Sequence, residues 1–343
     1  MKKIQIKGKT GASAILVNES IQNIARYLPD EHVIIVTDDI VRPFYGKAFP
    51  PADVIQIGRG EKIKTLDTVA DIYDRLIRLK ADRATFLLGI GGGIVCDITG
   101  FVASTYMRGI RFGYVPTTLL SQVDASVGGK NGVNFSGYKN MVGLFNQPEF
   151  VVCDMSLLAT LPEKEISCGF AEIIKHAAIA DSEMFAYLEI HHEKALSLEL
   201  TTLEKLVFES IAIKAAVVGK DEKEKGERRK LNFGHTFGHA IEKTTGISHG
   251  EAVSLGMVIA AAISVQKGLL SPAEEKKLCR LLETYRLPLQ WRITKASLWD
   301  ALQKDKKRES ERIHFVLLNG LGNAVIEPLP MDEVQGYLNR FFG

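Results

Sequence analysis

The sequence predicts two domains: an N-terminal α/β domain with a Rossmann-like parallel sheet, residues 1–150, and a mainly α-helical C-terminal domain, residues 151–343. Three observations predict this division. Strand and helix patterns alternate with short links up to residue 116, and later segments favour helices almost throughout. The length of 343 residues also exceeds the ~250–300 residues that one hydrophobic core usually serves.

The N-terminal elements follow from hydrophobic periodicity. Residues 33–37 form an apolar run that ends in Asp38 and Asp39, which is typical of a short buried strand. Apolar residues that recur every three or four positions over residues 65–80 indicate a helix. The other elements predicted here are strands at 54–57, 85–90 and 113–116 and a helix at 94–107.

The C-terminal half has a different pattern, because helical periodicity dominates from about residue 150. Only the apolar run at 313–318 clearly indicates a strand. The predicted helices lie at 163–188, 200–218, 236–244, 251–267, 273–285 and 296–304.

The charge balance argues against several classes of protein. The chain has 43 Lys and Arg residues against 41 Asp and Glu residues, which gives a formal net charge of +2. A near-neutral chain of ordinary composition is not expected to be disordered as a whole. It is also not expected to bind nucleic acid or an anionic membrane as a general property. The sum says nothing about local clusters of charge.

The sequence predicts a cytoplasmic protein. No secretory signal pattern is visible at the N-terminus. The longest apolar run, 252–265, is shorter than the ~18–20 residues that span a bilayer, so a buried core helix is favoured. No two cysteines have C-x-x-C spacing, and we expect reduced, mostly buried thiols. These cysteines are Cys96, Cys153, Cys168 and Cys279.

A glycine loop, Gly91 to Gly93, follows a strand pattern and opens a helix pattern. Backbone N–H groups and the helix dipole at such a loop suit a phosphate or pyrophosphate. The match to the dinucleotide fingerprint is incomplete, because Ile94 holds the third glycine position and the acidic strand end at Asp38 precedes the loop. Nucleotide binding and a plain tight turn are both open on this motif alone.

Several charged residues suit the binding of an anionic substrate. Lys130 and Lys139 lie in glycine-rich segments, and they form no Walker A motif, because Asp124 stands where its first glycine is required. For either lysine alone, a solvated loop is the commoner setting. Lys214 interrupts an apolar helix pattern, so it either extends to solvent or points into a site.

Two further segments combine charge with an apolar or histidine-rich neighbourhood. Glu172 and Lys175 share a helix face, and their apolar neighbours favour a partly buried pair over a surface ion pair. The charged run 221–230 is normally a solvated loop. Its place before the histidine cluster leaves room for Arg228 or Glu224 to turn inward.

Three of the eight histidines, His235, His239 and His249, fall within fifteen residues. The first two are four residues apart on one helix face, and His249 is predicted to open the next helix. Two histidines and a carboxylate with an open fourth position form a catalytic zinc arrangement, so a metal site is favoured over satisfied core histidines. The spacing leaves open which two histidines bind. The cluster does not indicate a zincin protease, because no Glu follows His235.

The order of these motifs resembles the 3-dehydroquinate synthases, a branch of the sugar-phosphate cyclase family. The resemblance extends from about residue 53 to residue 318 and is weakest in the first fifty and last twenty residues. Each motif alone is weak, whereas their combination is specific. The motifs are GGGIVCD, YMRG, PTTLL, DASVGGK, GYKN, AEIIK, LNFGHTFGHAIE and HGEAV.

The resemblance implies the site residues. The implied zinc ligands are Glu172, His235 and His249. The implied catalytic residues are Lys175, Lys214, Glu224, Arg228, Asn232 and His239, the last as a proton-transfer or hydrogen-bonding group. The implied NAD contacts are Asp38, Glu61, Lys64, Gly92, Gly93, Ile94, Asp97, Thr117, Thr118, Lys139 and Thr160. The implied substrate contacts are Asp124, Lys130, Asn140, Lys306 and, for the phosphate in a neighbouring subunit, Arg108.

The resemblance also implies the reaction, that of a carbon–oxygen lyase on 3-deoxy-D-arabino-heptulosonate 7-phosphate. Bound NAD+ oxidises the substrate transiently with zinc or cobalt as Lewis acid, phosphate is eliminated, the hydride returns, and an aldol step closes the ring to 3-dehydroquinate. This reaction belongs to the shikimate pathway, which leads to chorismate and the aromatic amino acids. A cytoplasmic homodimer is implied. Glu227 stands where the family often has Leu, which adds a carboxylate near the site entrance.

Two alternatives stay open from the sequence. One is a sibling cyclase that takes another sugar phosphate, and the other is a metal-dependent polyol dehydrogenase of related build. Asn140, Asn232 and His239 favour the dehydroquinate branch by resemblance. A dehydrogenase would not need so many basic residues to hold a phosphate.

Overall fold

The computed structural model of the protein describes residues 1–303, 308–309 and 312–341. The chain forms two compact units. The first comprises Met1–Ile166 and Leu203–Lys223, and the second comprises Ser167–Thr202 and Glu224–Gly343. These ranges differ from a division at residue 150, because a strand beyond that residue completes the first unit's sheet and a later helix returns to the unit.

The first unit is built around a seven-stranded sheet. Its elements up to residue 153 are β1 (Lys2–Gly8), β2 (Gly11–Val17), β3 (Val33–Asp38), α1 (Val41–Tyr45), β4 (Asp53–Ile57), α2 (Leu66–Arg78), β5 (Phe86–Gly91), α3 (Gly93–Thr105), β6 (Arg111–Pro116), β7 (Lys130–Phe135), β8 (Tyr138–Phe145) and β9 (Phe150–Cys153). The predicted strands and helices of this half lie within two residues of these bounds.

The strand order of the sheet is β1-β2-β9-β6-β5-β3-β4. All neighbours from β2 to β4 pair in parallel, and only the edge strand β1 is antiparallel. Every residue of β5 is buried, which is typical of a central strand covered on both faces. The predicted Rossmann-like parallel sheet is confirmed.

The structure corrects the prediction of loops around Lys130 and Lys139, because β7 and β8 form an antiparallel hairpin. Ser136 and Gly137 make its turn with φ angles of 50° and 78°, the left-handed values that a two-residue hairpin turn requires. That Ser-Gly pair was the available signal. It was obscured because β8 is mostly exposed and therefore has no apolar alternation.

Strands β1, β2 and β9 were also not predicted. Strand β9 has only four residues, and it pairs with β2, for example Ala14 with Phe150. A short apolar run of this kind becomes a strand only when a distant segment supplies its hydrogen bonds, so periodicity alone does not reveal it.

The remaining elements are α4 (Glu163–Ala180), α5 (Ser182–Ile190), α6 (His192–Leu196), α7 (Leu200–Lys220), α8 (His235–Thr245), α9 (His249–Gln266), α10 (Pro272–Thr284), α11 (Lys295–Gln303), β10 (Arg308–Glu309), β11 (Arg312–Leu318), β12 (Ala324–Pro330) and α12 (Met331–Phe341). Most of α7 belongs to the first unit. The others form the second unit, apart from the first turn of α4, so its predicted helical character is confirmed.

Two details of the second unit differ from the prediction. The single helix predicted at 163–188 is divided between α4 and α5, because the Asp181 carboxylate caps α5 by accepting a hydrogen bond from the Met184 N–H at 2.9 Å. Near the C-terminus, β12 and α12 were not predicted. Strand β12 pairs antiparallel with β11 over its whole length.

Helix α9 is the core helix of the second unit. Its length and composition would suit a membrane span, and no other helix in the described ranges passes the same test. However, 67% of it is buried within the chain, against α8 and β11 among others. Burial of this extent is typical of a core helix, which is the interpretation that the sequence favoured.

Glycines allow α8 and α9 to pack closely. A Cβ atom on Gly256 would lie 1.8 Å from the carbonyl oxygen of Gly234, and one on Gly238 would lie 3.0 Å from that of Ala252. Backbone atoms cannot move aside as side-chain ends do. The absence of side chains at these positions therefore lets the first turn of α8 lie against the first two turns of α9.

We predict that Gly256→Ala lowers the stability of the second unit by about 1–3 kcal/mol, because the added methyl group overpacks the contact between α8 and α9. Thermal unfolding followed by circular dichroism measures this loss. Gly219→Ala is the matched control, since Gly219 is an exposed helix residue with nothing within 4 Å of the added Cβ. An unchanged midpoint in Gly256→Ala would show that the two helices can separate without cost.

Candidate metal and substrate site

Three helices of the second unit bring three potential metal ligands together. Glu172 lies in α4, His235 is the first residue of α8, and His249 is the first residue of α9. The Nε2 atoms of the two histidines lie 3.6 and 3.5 Å from Oε1 of Glu172. One ligand atom from each residue lies within 4.8 Å of the other two. The sequence left the choice of histidines open, and the structure brings together the set that the resemblance implied.

The orientation of both imidazole rings is set through their other nitrogen. His235 Nδ1 lies 3.1 Å from the carbonyl oxygen of Phe233, and His249 Nδ1 lies 3.4 Å from Oε2 of Glu242. Because each acceptor favours a proton on Nδ1, Nε2 is the nitrogen that faces Glu172, and it offers a lone pair to a metal once it has lost its proton. Glu172 Oε1 is fully buried and has no hydrogen-bond partner in the part of the chain that the structure describes. Two imidazole lone pairs and a buried carboxylate oxygen fit a divalent cation such as zinc.

The charges at this cluster depend on one another. Burial alone would raise the pKa of Glu172, but the positive charges of Lys175, His235 and His249 hold it well below its usual range. Burial alone would lower the pKa of His249, but Glu172 and Glu242 raise it to about 10. A proton on His249 therefore takes the place of a cation when no metal is bound, and a metal has to displace it.

The local sequence explains how the two helix starts reach Glu172. Gly234 precedes α8 with a φ of 78°, a left-handed value that favours glycine. Ser248 and Glu251 form a capping box at the start of α9. A Cβ atom on Gly250 would lie 2.4 Å from the Cα of Cys168, so only glycine lets α9 approach α4 this closely.

Glu242 was not assigned by the sequence reasoning. A signal was available, because His235, His239 and Glu242 follow the spacing i, i+4, i+7 and so share one face of α8. A carboxylate that accepts a hydrogen bond from a metal-binding histidine fixes the tautomer and raises the basicity of that ligand. Glu242 is placed to do this for His249.

Two further predicted residues lie beside the cluster. The Lys175 side chain is 1% exposed, and its Nζ donates a hydrogen bond to Oε2 of Glu172, so the predicted partly buried pair is in fact fully buried. His239 is exposed on α8, with its ring centroid 5.1 Å from that of His235 and 6.1 Å from that of His249. An exposed imidazole beside the cluster is accessible to a ligand.

The charged run before the histidines turns partly inward. Arg228 is 2% exposed within a 3₁₀ turn, Glu227–Asn232. Asn232 donates a side-chain hydrogen bond to Oε1 of Glu224, which closes this segment into a compact loop. The Arg228 side chain is therefore buried and does not lie in a solvated loop.

In the first unit, the glycine loop lies where the central strand β5 meets α3. Gly92 is the N-cap of α3, and Gly93 and Ile94 form its first turn. A Cβ atom on Gly92 would lie 3.2 Å from the Thr118 side chain, and Thr117 N–H donates to the Gly91 carbonyl oxygen at 2.9 Å. These glycines leave backbone N–H groups at a helix N-terminus uncovered by side chains, which suits a pyrophosphate.

A buried lysine links residues that the resemblance implied for NAD and for substrate. Lys64 Nζ donates to Oδ2 of Asp97 and, at 2.6 Å, to Oδ1 of Asn140. Burial raises the pKa of Asp97, and the charge of Lys64 opposes that shift. The structure thus brings Asn140 to two residues implied for the cofactor.

A second lysine of the first unit is paired in the same way. Lys214 Nζ in α7 lies 2.6 Å from both the carbonyl oxygen and Oδ1 of Asp124. Its side chain is 8% exposed, so it does not extend to solvent, which was one of the two predicted alternatives.

The other predicted residues have separate settings. Asp38 accepts hydrogen bonds from the Ile40 and Val41 N–H groups at the start of α1. Glu61 Oε1 lies 2.8 Å from Asn134 Nδ2 and 3.9 Å from Lys139 Nζ, and Thr160 Oγ1 lies 2.8 Å from Tyr45 Oη. Arg108 and Lys130 are exposed, and Lys306 lies outside the described residues.

Comparison with known proteins gives a consistent result. A family model described as 3-dehydroquinate synthase N-terminal matches residues 54–168, and one described as 3-dehydroquinate synthase C-terminal matches residues 169–308. The 3-dehydroquinate synthase of Dehalococcoides mccartyi (strain CBDB1) is 41% identical over 322 residues, which cover 91% of this chain and 90% of the relative.

Solved structures with the same fold carry both cofactors. A 2-deoxy-scyllo-inosose synthase complexed with carbaglucose-6-phosphate, NAD+ and Co2+ is 27% identical, with a TM-score of 0.86, and covers 99% of this chain and 100% of its own. ValA, a 2-epi-5-epi-valiolone synthase from Streptomyces hygroscopicus subsp. jinggangensis 5008 with NAD+ and Zn2+, is 26% identical, with a TM-score of 0.88, and covers 99% and 97%.

We predict that Glu242→Ala weakens Zn2+ binding about 10–100-fold, because His249 loses the acceptor that fixes its tautomer. Competition of the metal-free protein against a chromophoric chelator measures the affinity. Glu242→Gln keeps one acceptor oxygen, so its loss should be smaller, and His249→Ala should lose stoichiometric binding. Thr244→Ala, an exposed change on the same helix, is the control. An unaltered affinity in Glu242→Ala would mean that packing alone orients His249.

Proposed function

The chain belongs to the 3-dehydroquinate synthase family. From this premise we propose that it converts 3-deoxy-D-arabino-heptulosonate 7-phosphate to 3-dehydroquinate and phosphate, with the three potential metal ligands and the buried cations as its active site. The observation that carries the proposal is the buried Glu172, which faces two imidazole Nε2 atoms on one side and Lys175 on the other. A site for one metal ion suits the hydroxyl groups of a substrate, and a buried lysine beside it suits a negative charge.

The fit of the residues supports two cofactors. Glu172, His235 and His249 would hold Zn2+ or Co2+, and the glycine loop at Gly92 and Gly93 would hold the pyrophosphate of NAD+. When bound, NAD+ supplies reversible hydride acceptance and the metal ion supplies Lewis-acid polarisation of a substrate oxygen. Lys64, Asp97 and Asn140 form a preformed hydrogen-bonded group in the same unit as the glycine loop, and we assign them to the cofactor and its surroundings.

The chain's own cations would bind the charges of the substrate. Lys175, Lys214 and Arg228 are all less than a tenth exposed, so an anion that reaches them meets cations in a low dielectric, where charge-assisted hydrogen bonds are strongest. We assign the substrate's carboxylate and phosphate to these residues, together with Lys130, Lys306 and Asn232. Cations that are ordered before the substrate arrives would orient it before any bond changes.

His239 is the residue placed to move a proton. It is exposed, one helical turn after His235, and it is not part of the proposed ligand set. An imidazole side chain can accept or donate a proton near neutral pH. We assign to His239 proton transfer at the substrate, with Glu224 and Asn232 as the hydrogen-bonded pair that shapes the neighbouring loop.

The reaction branch, assembly and location follow from the same premise. The 41% identical relative favours the dehydroquinate branch over the sibling cyclases, which are 26–27% identical. We further propose a cytoplasmic homodimer that acts in the shikimate pathway, and so supplies chorismate and the aromatic amino acids.

The exposed Arg108 supports the dimer. It lies in a turn where Met107 and Arg108 have φ angles of 49° and 71°, left-handed values that cost residues other than glycine some strain.

We predict that the protein, supplied with the heptulosonate phosphate, NAD+ and Zn2+, releases phosphate without accumulating NADH, because the cofactor is reduced and reoxidised in each turnover. A phosphate-coupled assay and absorbance at the NADH band measure the two quantities. A chelator should abolish the release of phosphate, and addition of Zn2+ should restore it. Steady accumulation of NADH would show a dehydrogenase instead.

We predict that Arg108→Ala and Lys175→Ala are each inactive but recover about a quarter of the wild-type activity when unfolded and refolded together, since half of the dimers are mixed and one site of each is then complete. Phosphate release by the mixture measures this recovery, and each variant refolded alone is the control. No recovery from a mixture that forms dimers would mean that Arg108 serves its own subunit.

A further inference from the structure

The carboxylate of Glu222, in the first unit just after α7, is held by the tip of the β1–β2 hairpin. Its Oε2 accepts a hydrogen bond from the Lys9 N–H at 2.8 Å. Its Oε1 accepts from Thr10 Oγ1, from the Thr10 N–H at 3.3 Å and from Gln147 Nε2 at 3.4 Å. Four donors from two distant segments thus converge on one side chain.

The hairpin tip, residues 8–11, has a shape that admits this carboxylate. A Cβ atom on Gly8 would lie 2.3 Å from Oε1 of Glu222, so any other residue at this position would push the carboxylate away. Burial alone would raise the pKa of Glu222, but the hydrogen bonds from Thr10, Lys9 and Gln147 keep it lower than usual. Near neutral pH the carboxylate is therefore ionised, and its hydrogen bonds are charge-assisted.

A second contact ties the same hairpin to the other end of α7. Glu204 accepts a hydrogen bond from Asn18 Nδ2 at 2.5 Å and lies 3.8 Å from Lys2 Nζ. About 25 Å of helix separates this contact from the one at Glu222. The hairpin region thus contacts α7 near its start and the segment that follows its end, and only the contact at Glu222 adjoins residues assigned to the substrate.

Glu222 lies just before the point where the chain passes from the first unit to the second. The chain leaves the first unit between Lys223 and Glu224, and the loop that carries Arg228 and Asn232 begins there. The other two crossings between the units, at Ile166–Ser167 and Thr202–Leu203, lie inside α4 and α7, where helical hydrogen bonds hold the backbone. The crossing after Glu222 has no helix to hold it.

We propose that the hairpin tip is a positioning element for the substrate loop, residues 224–232. By holding Glu222, it fixes the point from which the loop starts and so the directions of Arg228 and Asn232. The consequence for substrate binding rests on the function proposed above. Glu222 is a positioning residue, because it acts through its hydrogen bonds to Lys9, Thr10 and Gln147, none of which is assigned to the substrate.

The first test follows the loop itself and needs no substrate. Amide hydrogen exchange of the full-length protein should speed up about tenfold or more within residues 224–232 in Glu222→Ala, because the segment opens more often once its start is released. Glu204→Ala is the matched control, since it also removes carboxylate contacts to the β1–β2 region but lies at the start of α7, far from the loop. Equal exchange of the loop in the two variants would overturn the proposal.

The second test follows the reaction. Glu222→Ala should raise the KM for the heptulosonate phosphate about tenfold or more, because binding groups that are displaced make poorer contacts with the substrate. Its affinity for NAD+ should stay within about twofold of the wild type, since the glycine loop is untouched. Thr10→Val should show part of the effect and add little to Glu222→Ala, because both changes remove one interaction.

The two tests separate the two proposals. If the wild type releases no phosphate, the proposed function is wrong, while the exchange experiment still decides the role of Glu222. If Glu222→Ala only lowers the melting temperature, as Glu204→Ala does, and leaves exchange of the loop and the KM unchanged, the hairpin tip stabilises the fold and positions nothing.

Discussion

The buried carboxylate of Glu172 is the constraint on which the second unit depends. A charged group without access to water must be surrounded by opposite charge, or burying it costs several kcal/mol. Lys175 meets one oxygen, and the Nε2 atoms of His235 and His249 face the other. Because these groups come from α4, α8 and α9, the three helices have to converge on one point. The imidazoles that stabilise the buried carboxylate of Glu172 are also placed to bind a divalent cation together with it.

That convergence is achieved by close backbone packing. Histidines at the first positions of two helices reach the same carboxylate only if the helix starts nearly touch. Gly234, Gly250 and Gly256 stand where a Cβ atom would meet backbone or a neighbouring side chain within 3 Å. These three glycines therefore help to bring the potential metal ligands together, although none of them offers a ligand atom.

Preorganised ion pairs are common to both units. Lys64, Lys175 and Lys214 each contact a carboxylate of their own unit, and all three are buried. A lysine held in this way has lost most of its side-chain freedom before a ligand arrives. The entropy of ordering it is then a cost of folding and is not repeated in each cycle of binding. The near-neutral net charge of the chain conceals this arrangement, because each cation is matched by an acid nearby.

From the order of amino acids alone, the parallel sheet, most helices, the glycine loop and a histidine cluster suited to a metal ion were predictable, since each depends on local periodicity or spacing. Tertiary structure was needed to bring the Nε2 atoms of His235 and His249 to Glu172, to place Glu242 beside His249, to bury Arg228 and to pair β9 with β2. These features depend on groups far apart in the sequence. The difference is physical: a helix or a turn is stabilised by neighbours a few residues away, whereas a buried charge or a sheet register is stabilised only by partners that folding brings together.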